Sequence, residues 1–191
     1  MKLAIASVVL AVAFVQFGCA SGGGGRSNAD KRRDIAVEEV SRMSPPSKKL
    51  SSFAQFELSP ITMSPEVADG AKKEAYAQKL GGMLEAKITP LLDEWRASSN
   101  GGTGTLVVQP DVVNLRVVSG GARFWVGAMA GESSIDMNLR LTDKASGKVI
   151  ANPRIARSAG AMSGAWTFGA TDQNLLRYIV DISNQYLVEN F

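Results

Sequence analysis

Apolar and polar residues alternate most regularly between Ser134 and Thr142, where Ile135, Met137, Leu139 and Leu141 interleave with Asp136, Asn138, Arg140 and Thr142. That two-residue period predicts a strand with one buried face. Asp143 to Lys148 supplies turn residues, with Gly147 where a left-handed backbone is needed, and Val149 to Arg157 reads as the return strand of a hairpin. Thr105 to Val118 is a longer β-rich run whose Pro110 predicts a bulge or an edge, because proline cannot donate to a central ladder. Phe53 to Leu58 predicts a shorter strand, with Ala54, Phe56 and Leu58 on one face.

Two stretches carry the helical period instead. Tyr76, Leu80, Met83, Leu84, Ile88, Leu91, Leu92 and Trp95 recur at steps of three and four, which predicts a helix from about Glu66 to Ala97. Ser64 and Pro65 suit its first turn, and Pro90 predicts a bend. Gly81 and Gly82 mark either a close contact with a sheet or a tolerated weak point. Thr171 or Asp172 opens a last helix striped by Leu175, Leu176, Ile179, Val180, Ile182, Tyr186 and Leu187. The order predicts an α+β fold: an antiparallel or mixed sheet of four to five strands, with two amphipathic helices packed on one face.

The N-terminus follows another logic. Met1 and Lys2 precede an apolar run from Leu3 to Phe17, then Gly18, Cys19 and Ala20. The run falls short of the roughly 20 residues that span a bilayer, so it reads as an export signal. Cys19, the single cysteine, stands where the signal would be cut. It resembles the lipid-attachment site of bacterial lipoproteins, whose cysteine becomes the first mature residue and carries acyl chains such as palmitate. Gln16 and Phe17 depart from the leucine and small residue usual there, whereas Gly18 fits. The alternative is ordinary cleavage after Ala20, which would release a soluble periplasmic protein. The lipoprotein pattern places an aspartate after the cysteine for inner-membrane retention; Ala20 in that place implies the periplasmic face of the outer membrane.

Gly22 to Gly25 predict a flexible coil, and residues 29 to 52 are polar, with a break at Ser44, Pro45 and Pro46. They read as a tether with at most a frayed helix near Asp34 to Met43. The expected plan is therefore a signal over 1–18, an anchor and flexible linker over 19–52, and one globular domain over 53–191.

Charge and chemistry narrow the function mainly by exclusion. The net charge of +3, with basic clusters only at Lys31, Arg32, Arg33 and at Lys48, Lys49, is no nucleic-acid footprint. The chain has no histidine, which removes the usual general base, the histidine-assisted nucleophiles and nearly all zinc sites. No metal or cofactor is expected. Ser163 lacks nucleophile-elbow spacing, and Ser146, Gly147, Lys148 lacks the upstream glycine of a phosphate loop. Asp111, Glu132, Asp136 and Asp143 read as exposed strand and turn carboxylates, or as the acid and base of a hydrolase acting on cell-wall material.

Two glycine-rich apolar stretches flank the hairpin. Gly120 to Gly131 carries Arg123, Phe124, Trp125 and Met129; Gly160 to Gly169 carries Met162, Trp166 and Phe168. Aromatics among glycines mark either a surface for a protein partner, a sister subunit or lipid, or segments that fold back into the core.

From Phe53 onward the chain resembles an uncharacterised family of Gram-negative lipoproteins known only as a domain of unknown function. The resemblance lies in Arg123 followed by Gly127 and Gly131, in Leu139 to Asp143 leading into Ser146, Gly147, Lys148, and in the terminal helix. At fold level the core is similar to the periplasmic domain of the curli-secretion lipoprotein, without the extra hairpins that pore needs. Together these readings point to a non-enzymatic, lipid-anchored accessory of envelope assembly, transport or secretion that acts through protein contacts. The alternatives are the cell-wall hydrolase and a self-associating ring or pore component.

Overall fold

The computed structural model describes residues 27–68, 70–98, 101–118, 132–158 and 170–191. Among the described residues three helices, α1 (Asn28–Ser41), α2 (Ala71–Ser98) and α3 (Ala170–Glu189), accompany a six-stranded mixed sheet that does not close. Its strands are β1 (Gln55–Leu58), β2 (Thr62–Met63), β3 (Thr105–Arg116), β4 (Ser134–Asp143), β5 (Val149–Ala151) and β6 (Arg154–Ser158). The α+β expectation holds, with one strand more than the upper count and one more helix.

Two long central strands organise everything else. β3 and β4 pair antiparallel from Leu106 opposite Asp143 to Arg116 opposite Ser134. β1 and β2 lie end to end, parallel to β3 along its outer side, and β5 and β6 lie end to end along the outer side of β4. Each flank is thus one strand interrupted at a proline, Pro60 on one side and Pro153 on the other.

Pro110 is neither at an edge nor at a bulge. It pairs with Leu139 in the sheet interior, and the Leu139 amide donates to Pro153 O, away from β3. Pro110 therefore directs its missing donor toward β1 and β2, at the point where that flank is broken between Leu58 and Thr62. The ladder loses no bond. The irregularity expected of this strand falls at Val113, between Val112 opposite Met137 and Asn114 opposite Asp136.

One sheet face is the core. Leu106, Val108, Val112, Ile135, Met137, Leu139 and Leu141 are buried beneath Leu80, Leu84, Ile88, Leu92 and Trp95 of α2 and Leu175, Leu176, Ile179, Ile182 and Tyr186 of α3. Both helical stripes are those the sequence predicts. Pro90 sits inside α2 without ending it. The helix starts later than expected, because Gly70 adopts φ +102, which separates the turn at Ser64–Ala68 from the helix proper. The hairpin turn forms as expected: Asp143 Oδ1 accepts from the amides of Ala145 and Ser146, and Gly147 takes φ +67.

The expected tether is a correction. Residues 28–41 form α1, opened by a capping box in which Ser27 Oγ accepts from the Asp30 amide while the Asp30 carboxylate accepts from the Ser27 amide. The Ser27 hydroxyl also donates to Asp30 Oδ2 at 2.6 Å, and this bond, with that from the Ser27 amide, holds the Asp30 carboxyl below its ordinary range. Ala36 and Val40 are buried, Arg32 Nε donates to Asp181 Oδ2 of α3 at 3.0 Å, and Arg157 of β6 meets Glu39 at 2.8 Å. The chain after α1 docks too: Tyr186 Oη donates to Ser44 O, and Leu50 is fully buried in a 3₁₀ turn. The globular body thus takes in residues from Ser27 on and does not start at Phe53.

Candidate functional site

Cys19, and Arg123, Phe124, Trp125, Met129, Met162, Trp166 and Phe168 of the glycine-rich stretches, lie outside the described residues. What the structure does place is their flanks. Arg116 pairs with Ser134, and Ser134 pairs with Ser158, so both stretches leave from one end of the sheet. There Ser133, fully buried, accepts the Val118 amide on its hydroxyl at 3.0 Å. The hairpin tip lies at the opposite end.

The carboxylates singled out for chemistry are tied into structure. Asp111 accepts from Thr62 Oγ1 at 2.8 Å, Asp136 pairs with Arg154, and Asp143 holds the hairpin turn. Glu132 stands just before β4 and is also engaged. Asp111 and Asp136 share the sheet face opposite α2 and α3, close to each other in register, each with its own polar partner. Among the described residues no cluster of three potential metal ligands occurs, and no helix is long and apolar enough to cross a membrane.

A groove runs between the outer edge of β1 and α2. One part, of about 600 Å³, is lined by all four β1 residues and by Glu85, Thr89, Leu92 and Arg96 of α2. A second, of about 310 Å³, shares Leu58, Glu85 and Thr89 and continues past Pro60 and Ile61 to Gly81 and Gln78. The strand edge in it is unsatisfied. Gln55 N–H and Ser59 N–H donate to Gly104 O and Val108 O of the β3 side, so by alternation Phe56 and Leu58 turn their N–H and C=O groups outward. Among the described residues nothing bonds to those four groups. Glu85 is exposed at the groove rim, with no ion pair to any described residue, whereas Arg96 is neutralised by Asp93 at 2.6 Å.

A family model for a domain of unknown function, DUF4410, matches residues 36–163. The chain belongs to this family. The DUF4410 match begins at Ala36, the first buried residue of α1, and takes in the whole sheet and the first glycine-rich stretch. That agrees with a body starting upstream of Phe53. No curated protein matches the chain. Solved structures similar to it include the PelC dodecamer of Paraburkholderia phytofirmans, at 13% identity over 76% of this chain and 95% of that one, with a TM-score of 0.42. Others are hypothetical protein CT253 of Chlamydia trachomatis, at 15% identity over 71% and 98% with a TM-score of 0.35, and protein XCC0632 of Xanthomonas campestris, assigned to DUF330, at 10% identity over 78% and 89% with a TM-score of 0.37. At these scores the likeness is distant.

The groove has no signature in the sequence, because nothing local tells which strand of a sheet will be its edge.

Proposed function

We propose that this DUF4410 protein is a lipid-anchored accessory on the periplasmic face of the outer membrane. It works without catalysis, through protein contacts, in envelope assembly, transport or secretion. The observation that carries this reading is the placement of Cys19, after Gly18 at the end of an apolar run too short to span a bilayer and shortly before the glycine tract Gly22 to Gly25. Multiple acylation there would hold the body at the membrane essentially permanently, since each buried methylene contributes about 0.8 kcal/mol.

The absence of histidine supports a non-enzymatic role, and so does the engagement of Asp111, Asp136 and Asp143 in structural hydrogen bonds. Ala20, rather than aspartate, after the cysteine supports the outer membrane.

Mass spectrometry of the mature chain extracted from envelopes tests the anchor. The expected species begins at Cys19 and carries acyl chains. A chain beginning at Ser21 without hydrocarbon would overturn it.

A further inference from the structure

An edge strand with open hydrogen-bonding groups is a template for another strand, and folded proteins blunt such edges with covers, prolines, charges or brevity. The two flanks of this sheet are treated differently. At β5 the Ser47 amide donates to Ile150 O, so residues leading out of α1 cover that edge. At β1 no described residue does the same, and the outward groups of Phe56 and Leu58 open into the groove under α2. β1 is only four residues long, carries Glu57 on its other face, and ends at Ser59 and Pro60. Those features limit indiscriminate sheet extension while leaving a slot of peptide length.

The slot's shape and charge select its occupant. It follows α2 from Gln78 to Arg96, about 27 Å at the helical rise, which matches about eight extended residues. A strand laid there would bond to Phe56 and Leu58 through its backbone and turn alternate side chains toward α2. With Arg96 already paired to Asp93 and Glu57 to Lys144, Glu85 is the open charge of the groove, and it is negative.

We propose that this groove binds an extended segment of a partner protein, added as a strand to the free edge of β1 with a lysine or arginine side chain set against Glu85. The inference rests on the reading of the chain as a protein-contact module and names the contact. A second copy is a poorer occupant, because the free edge it would offer is its own β1, Gln55–Leu58, which carries no lysine or arginine to set against Glu85.

The test uses the full chain in its own membrane, with a photo-crosslinking amino acid placed at Thr89 in one variant and at Trp125 in another. The expected result is an adduct at Thr89 with a different protein, mapped to an extended segment containing lysine or arginine. A synthetic peptide of that segment should bind the purified chain. Leu58→Pro removes an outward amide but no bond to β3, so it should keep the fold and weaken the peptide about tenfold, the loss of roughly one hydrogen bond in a desolvated edge. Should Leu58→Pro lower the melting temperature, Glu85→Arg carries the same test from an exposed position: it should keep the fold and weaken binding at least threefold.

Adducts at Trp125 with none at Thr89 would overturn the groove and leave the protein-contact reading standing. Adducts made only of this chain would overturn the partner in favour of a second copy. No adduct at either position would overturn both readings, and peptide binding indifferent to Leu58→Pro and Glu85→Arg would overturn the strand-addition geometry.

Discussion

Gly81 of α2 and Ile61 of the β1–β2 connector touch so closely that a Cβ on the glycine would stand 2.9 Å from Ile61 Cγ2. The adjacent Gly82 faces open space. Of the two explanations the sequence leaves for this glycine pair, each residue satisfies one: Gly81 permits a contact and Gly82 is a tolerated weak point.

Gly82→Ala should therefore stabilise the protein by about 0.5–1 kcal/mol, the helix-propensity difference. Gly81→Ala should destabilise it by about 1 kcal/mol, because pushing Ile61 aside outweighs the same gain. Urea unfolding of the two variants checks the contrast; equal shifts would show that α2 does not rest on the connector.

Leu50 is 0% exposed, although it lies in what reads as linker. Leu50→Ala should cost about 2–5 kcal/mol, as for any buried leucine whose cavity cannot collapse. A tether residue would cost nothing measurable. Chemical denaturation distinguishes the two.

Arg157 is held beneath α1, its side chain 15% exposed, 2.8 Å from Glu39 and 5.8 Å from the Tyr178 ring centre. Its Nε makes no hydrogen bond, and the Nη2 contact to Glu39 is an ion pair without hydrogen-bond geometry. Such a charge depends on its counterion. Glu39→Gln should destabilise the fold by about 1–3 kcal/mol by leaving the guanidinium unpaired, and Glu39→Gln combined with Arg157→Met should recover part of the loss. A double-mutant cycle gives the coupling.

Burial pushes the Tyr186 hydroxyl up to about 12 from its ordinary value of 10.0. Because the folded state favours the neutral phenol, this contribution is full below pH 10 and is lost as pH rises toward 12. Stability should fall across that interval, and Tyr186→Phe should flatten the fall while costing about 1 kcal/mol at neutral pH through the lost bond to Ser44 O. Thermal melts at stepped pH test both.

Where burial leaves a period in the chain, the sequence is readable. The alternation of Ile135 to Leu141 and the stripe of Leu80 to Trp95 each report one buried face, and the structure buries those residues. α1 escapes because only Ala36 and Val40 of its residues are buried, too few to print a stripe. Its docking depends on Asp181 and Arg157, more than 100 residues away in sequence. Pro110 shows the same limit: a missing donor is visible locally, but the gap in β1 and β2 that receives it belongs to strand order. The groove is legible only once β1 is known to be the last strand of the sheet.

A packed body that already includes Ser27 limits how far it can stand from Cys19. Seven residues lie between Cys19 and Ser27, at most about 29 Å of fully stretched chain, where a domain starting at Phe53 would have had about 120 Å. Fastened by an acyl group at Cys19, such a protein would ride against the lipid headgroups like a moored float, so its encounters would be confined to molecules that come down to the bilayer surface.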